Sequence, residues 1–342
     1  MTTSTSTRSP FLDLPGAVDG DGRDVGVAAH YGDPLREQRL LSEGLGVVDL
    51  GHRGVVTVTG PDRLSWLHSM TTQALTGLAP RTSAETLVLS PKGHIEHALH
   101  VVDDGETTWI TVEPGTSPAL VAWLESMRFM LRVEVVDVTA DFAVLGEASR
   151  AESLDGEPLA WVDPWPAPVG DTALYGPLEG HPGADRAWRE VIVPRADLLA
   201  AAGDRAPVGL WAAETLRVQA WRPRLGLETD HRTIPHEVDW LRSAVHLHKG
   251  CYRGQETVAR VHNLGRPPRR LVFLHLDGSG HGLPDPGAAV MAGEKEVGRL
   301  TSVARHHEEG PIALAVIKRN TPVDIDLVAG GVAAAQTVVV AP

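Results

Sequence analysis

Apolar residues recur at helical spacing behind Asp33-Pro34, an N-capping acid followed by proline at the first helical position. Leu35, Leu40, Leu41 and Leu45 form the stripe, and Gly44 and Gly46 end it. Two short β-rich runs at 47–50 and 55–59, split by His52-Arg53-Gly54, predict a hairpin, and Gly60-Pro61-Asp62 opens a second helix through Leu64, Trp66, Leu67 and Met70. Residues 86–89, 95–102 and 107–112 predict an antiparallel meander with turns at Pro91-Lys92-Gly93 and Asp104-Gly105. Ser117-Pro118 starts a helix carrying Leu120, Val121, Leu124, Met127 and Met130, and a strand resumes over 133–138. Gly, Pro, Asp and Glu crowd 147–182, which reads as loops over a core edge around Trp161 and Trp165; a helix returns over 208–221. Beyond Pro267-Pro268, short Val/Leu/Ile runs at 271–276, 297–303 and 312–317 predict a small barrel, with paired short strands over 328–342.

Strands and helices alternating in this way indicate an α+β protein, and 342 residues predict two or three packed units. No run of about 20 apolar residues is free of polar interruption, so no bilayer span is expected. The opening MTTSTSTRSP lacks an apolar stretch and reads as a loose tail rather than an export signal, and a cytoplasmic location is expected. A formal net charge of −13 opposes a sequence-independent grip on nucleic acid, because that needs many cations on phosphates. The single cysteine, Cys251, allows no internal disulfide and no four-thiolate metal or iron–sulfur site, so any cluster needs ligands from outside.

Charge is unevenly placed. Over 242–270, Arg242, Lys249, Arg253, Arg260, Arg266, Arg269 and Arg270 face a single Glu256, with His246, His248 and His262 among them. Cys251 lies at the centre, in the run KGCYRGQE over 249–256. Neighbouring cations favour a thiolate, the form that attacks electrophiles and binds soft metals. Gly250 and Gly254 let backbone approach a ligand closely or take positive φ, and Gln255 and Glu256 suit a heterocycle edge or the orienting of neighbours. The same residues also fit a small buried thiol within a solvated basic face.

KGCYRGQE followed by Val258-Ala259-Arg260 resembles the signature of YgfZ-type folate-binding proteins, relatives of the aminomethyltransferases (glycine-cleavage T-proteins). Weaker similarity to that superfamily extends through Val48-Asp49-Leu50, residues 58–62 and 67–72, residues 213–220, and Ile234-Pro235-His236-Glu237. The resemblance implies a three-domain, clover-like α+β architecture with antiparallel sheets and a small C-terminal β-barrel around a central opening for tetrahydrofolate or another reduced folate. The expected division is a flexible tail over 1–30, a folate-binding region of two interleaved subdomains over 31–265, and the barrel over 266–342. It further implies a role in iron–sulfur cluster maturation or repair, with assembly factors or client iron–sulfur enzymes as partners and Cys251 as the functional thiol. Lys249, Gly250, Tyr252, Arg253, Gly254, Gln255, Glu256 and Arg260 would border the folate. Arg253 and Arg260 are candidates for its anionic tail, and Glu214, Gln219 and Glu228 for the pterin edge. Where the aminomethyltransferases carry paired aspartates after the equivalent of Lys92-Gly93, this chain has Glu96-His97, which turns the expectation away from glycine cleavage. Two alternatives remain: a folate-dependent aminomethyl or methyl transferase, and a non-catalytic folate-binding scaffold in which Cys251 is inert.

Overall fold

A computed structural model describes residues 8–280 and 282–342. The chain forms two compact units with interleaved segments. Unit 1 draws on Met1–Val88, His97–Pro164 and Ala187–Ala213; unit 2 draws on Leu89–Glu96, Trp165–Arg186 and Glu214–Pro342. The helices are α1 (Pro34–Ser42), α2 (Arg63–Met70), α3 (Ser117–Ser126), α4 (Leu210–Gln219), the single turn α5 (Leu241–Ala244) and α6 (Gln255–Leu264).

The meander forms as expected and widens into a five-stranded sheet in the order Ser83–Leu89, Ile95–Asp103, Thr107–Val112, Gly54–Thr59, Glu134–Asp137. Val56, Val58, Leu99 and Ile110 of this sheet share a core with Trp66 and Leu67 of α2 and Leu120 and Leu124 of α3. A second sheet of unit 1 runs Ala160–Val162, Arg189–Pro194, Phe142–Glu147, Gly46–Asp49, Ala206–Val208, with only the last pair parallel. The expected hairpin is therefore corrected, because Gly46–Asp49 and Gly54–Thr59 belong to different sheets. Both strands are buried on both faces, a condition that a solvated two-stranded hairpin cannot meet.

Helix α1 is capped as its sequence requires, with Asp33 Oδ1 accepting from the Arg36 amide at 3.1 Å. Helix α3 stops at Ser126, earlier than expected. Met127 caps it, Phe129 takes a left-handed backbone (φ 49°), and Met130 is exposed. The flexible tail expected over 1–30 is corrected from Arg8 onward, and residues 1–7 lie outside the described residues. Phe11 is buried against Val47, Leu145 and Val193, so this segment is held by core packing. The loop-rich stretch 147–182 contains the strand Ala160–Val162, and Trp161 and Trp165 are fully buried rather than lying over an edge.

In unit 2, Arg269–Leu276, Gly310–Lys318, Lys295–His306, Ala289–Ala292, Leu327–Ala329 and Val332–Val338 close into a six-stranded barrel whose last strand pairs with its first. Val272, Leu274, Val297, Leu300, Ala313 and Ala315 fill it. Closure leaves no free strand edge. Among the described residues, no helix is long and apolar enough to cross a membrane.

Candidate functional site around an exposed thiol

Cys251 is exposed, on the loop that leads into α6. The loop is fixed on both sides of the thiol. Tyr252 is buried, and the Lys249 ammonium lies 5.2 Å from its ring centroid. Arg253 forms a 3.0 Å ion pair with Glu96. Partial burial lowers Lys249 to about 8, so it remains mostly an ammonium at neutral pH. Gly254 then adopts a left-handed conformation (φ 84°) and caps α6. A Cβ at this position would lie 2.6 Å from the Ser90 carbonyl oxygen and 3.0 Å from the Gly93 Cα, while one at Gly93 would lie 2.7 Å from the Thr257 Cβ. The turn at Ser90–Gly93 and the first turn of α6 therefore meet backbone to backbone. Behind them, Val258 of α6 is buried and its carbonyl accepts a 3.2 Å hydrogen bond from His236 Nε2. Burial pushes His236 down to about 4, so it is neutral here and packs as an uncharged ring.

This contact carries a stability prediction. Gly254→Ala combines a left-handed alanine with a backbone clash and is expected to lower the stability of unit 2 by roughly 3 kcal/mol. Gly250→Ala, where a Cβ meets nothing within 4 Å, should cost about half as much despite its φ of 102°. Denaturant melts of the two variants compare them directly, and equal losses would contradict the close packing.

A GCVT N-terminal domain model matches residues 28–151, and a model of the CAF17 C-terminal β-barrel domain matches residues 269–340. The chain is 27% identical to a putative chloroplastic transferase of Arabidopsis thaliana over 335 residues, covering 90% of this chain and 73% of the relative. It is 28% identical to an aminomethyltransferase of Moorella thermoacetica over 330 residues, covering 86% of this chain and 84% of the relative. The crystal structure of the glycine cleavage system aminomethyltransferase T from Bartonella henselae superposes with a TM-score of 0.74, at 18% identity, over 96% of this chain and 94% of its own. The fold is aminomethyltransferase-like.

Within this aminomethyltransferase-like chain the sequence-derived site residues separate into two groups. Lys249, Gly250, Cys251, Tyr252, Arg253, Gly254, Gln255 and Glu256 form the loop and the start of α6; Arg260 follows on the same helix, exposed and with no ion-pair partner among the described residues. Glu214, Gln219 and Glu228 are engaged elsewhere. Glu228 is buried, and its two oxygens accept from Arg217 (3.0 Å), the Arg224 amide (2.9 Å), Thr301 (2.9 Å) and Ser302. Four donors use the acceptor capacity of a carboxylate, so Glu228 is corrected from a pterin contact to a structural one. Glu214 pairs with Arg217 and Arg224, and Gln219 donates to Glu309 at 2.9 Å.

The cationic island is also corrected. Arg242 pairs with buried Asp239, Arg253 with Glu96, and Arg269 with both Asp230 and Glu237, while Arg270 is buried and donates to Thr321 O and Gln336. Three of the seven cations, Arg242, Arg253 and Arg269, are thus paired with acids, Glu96 from a distant strand and Asp230, Glu237 and Asp239 from the segment just before the window.

The sequence reading passed over a second polar cluster, in unit 1. Glu190, 1% exposed, accepts from Arg53, His100 (3.0 Å), Thr111 (3.0 Å) and Trp188 (3.3 Å), and the His100 ring stacks on Trp161 with centroids 3.7 Å apart. Burial alone would raise the Glu190 pKa, but Arg53 and His100 outweigh it and hold the carboxyl well below the usual range. The sequence signal was a carboxylate followed by the apolar run Val191-Ile192-Val193 in the strand Arg189–Pro194.

Proposed function

We propose that the chain is a tetrahydrofolate-binding protein of the YgfZ-type branch, acting in the cytoplasm in iron–sulfur cluster maturation or repair, with Cys251 as its functional thiol. The observation that carries this reading is an exposed cysteine on a loop whose neighbours are immobilised by burial, an ion pair and glycine packing. A thiol with only a packing role would be expected among apolar side chains. The GCVT and CAF17 domain matches support the folate and iron–sulfur parts of the reading respectively. With Glu214, Gln219 and Glu228 engaged elsewhere, Gln255, Glu256 and Arg260 are the polar groups proposed to meet the folate, with Lys249 and Arg253 beside them.

Two measurements test it. Cys251→Ala should reduce the activity of iron–sulfur enzymes severalfold in cells that lack the wild-type protein, while the purified variant melts within about a degree of wild type, as expected for an exposed side chain. Normal enzyme activity in that variant would remove the role of the thiol. Tetrahydrofolate kept reduced should raise the melting temperature of the wild-type protein; a ligand at a hundred times its Kd adds about 2.7 kcal/mol. No shift with any reduced folate would remove the ligand.

A further inference from the structure

The five-stranded meander sheet of unit 1 ends on the strand Glu134–Asp137, which pairs on one side only, with Gly54–Thr59. The Val138 amide donates to the Val55 carbonyl at 2.9 Å, so Glu134, Val136 and Val138 turn their backbone groups toward that neighbour. The amides and carbonyls of Val135 and Asp137 therefore point out of the sheet, where no other strand meets them among the described residues. An open edge of this kind is a template for a further strand. Apolar surface adjoins it. Phe129 is 84% exposed, Met130 98% and Leu131 42%, just before the strand, and Val136 within it is 40% exposed while Val135 turns into the core. Single apolar residues scattered over a surface need no partner, but a group gathered at an unpaired edge marks an interaction site.

The chemistry of the edge narrows the occupant. Hydrocarbon could take up Phe129, Met130 and Leu131, but it offers nothing to the outward amides and carbonyls, and Glu134 and Asp137 would have to approach it as carboxylates. A protein strand satisfies both the backbone and the apolar side chains. The charge pattern then fits a second copy of this chain. In a twofold antiparallel pair, an axis through Glu134 or Asp137 sets each acid against itself, which leaves the two valines between them. An axis at Val135 places Val136 opposite Glu134 of the other copy. An axis at Val136 brings the two exposed valines into contact, with Glu134 opposite Val138 and Asp137 opposite Val135. Val135 and Asp137 of the two copies then exchange their outward backbone hydrogen bonds.

We propose that two copies of this chain associate edge to edge through Glu134–Asp137, antiparallel about an axis at Val136, with Phe129, Met130 and Leu131 of each covering part of the other. In this register each apolar loop runs past the far end of the other copy's strand, so the axis doubles the apolar area that a short strand pair alone lacks.

Sedimentation velocity of the full chain from about 1 to 100 µM tests this. The expected result is a reversible equilibrium that moves from monomer to dimer as the concentration rises. Met130→Asp, at a side chain almost wholly exposed in the monomer, should weaken association about tenfold at an unchanged melting temperature. Val136→Lys and Val136→Glu should each be monomeric over that range, because each meets its own charge across the axis, and an equimolar mixture of the two should recover a dimer. A register centred on Val135 would instead set the new lysine against Glu134 and tighten the pair. Val136→Lys that dimerises as well as wild type, or a mixture that stays monomeric, therefore overturns the proposal. So does a wild-type chain still monomeric at about 100 µM; its co-sedimentation with phosphatidylcholine vesicles would then assign the loop to lipid.

Discussion

Glu190→Ala should lower the stability of unit 1 by about 3 kcal/mol, because it removes the fully buried acid that Arg53 and His100 share and leaves them only the longer contacts to Glu113 (3.4 Å) and Glu85 (4.0 Å). For a unit of this size that corresponds to a melting temperature lower by roughly 10 °C. Trp161 and Trp188 lie in the same cluster, so their fluorescence reports the transition. Glu190→Gln keeps the shape and should lose about half as much. It should also change the response to acid. The folded-state pKa of Glu190 is depressed below the unfolded value, so its contribution is complete above about pH 5 and is lost as the pH falls through the folded value. The glutamine variant lacks that titration, and its stability should decline less steeply below pH 5. An alanine variant that melts within two degrees of wild type would show the cluster to be dispensable.

A comparable loss is expected in unit 2 for Arg217→Met. Arg217 is buried and bridges Glu214 and Glu228, donates to the Arg222 carbonyl at 2.6 Å, and reaches Ser302 on the barrel at 2.7 Å. Its removal takes the guanidinium from the fully buried Glu228, which keeps only the Arg224 amide and the Thr301 and Ser302 hydroxyls, at a cost of about 3 kcal/mol. Removing both charges, in Arg217→Met with Glu228→Gln, should be milder than the single change by 1–2 kcal/mol or so, since no uncompensated ion remains. Urea denaturation of the two single variants and the double variant measures the coupling. Strict additivity would mean that the two side chains do not stabilise each other.

Local chemistry was legible wherever it was decided locally. Asp33-Pro34 marks the start of α1, the Pro91-Lys92-Gly93 turn marks the meander, and the Gly- and Pro-cut runs after Pro268 mark the barrel. Pairing was less legible. A two-residue period identifies a strand without naming its neighbour, and Gly46–Asp49 and Gly54–Thr59 went to separate sheets although only four residues separate them. Helix α6 was missed because its buried positions reduce to Val258 among charged and polar side chains. At the site, the positive φ allowed for the glycines beside Cys251 is found at both Gly250 and Gly254, and the close neighbour at Gly254 is the backbone of Ser90 and Gly93. The charge tally misled, because Asp239 lay just outside the counted window and Glu96, Asp230 and Glu237 approach Arg253 and Arg269 only after folding. The Glu190 cluster was hidden for the same reason, with partners drawn from residues 53, 100, 111 and 188.

The interleaving of the two units sets an order of assembly during synthesis. All of unit 1 has left the ribosome once Ala213 emerges, whereas unit 2 awaits the final strand, Val332–Val338, which completes its ring. At roughly 5–20 residues per second, the segments Leu89–Glu96 and Trp165–Arg186 wait several seconds or more for the rest of their own unit. Over that interval the nascent chain presents Trp165 and the unfinished barrel strands to its surroundings, and this is the stage at which a chaperone would have most to hold.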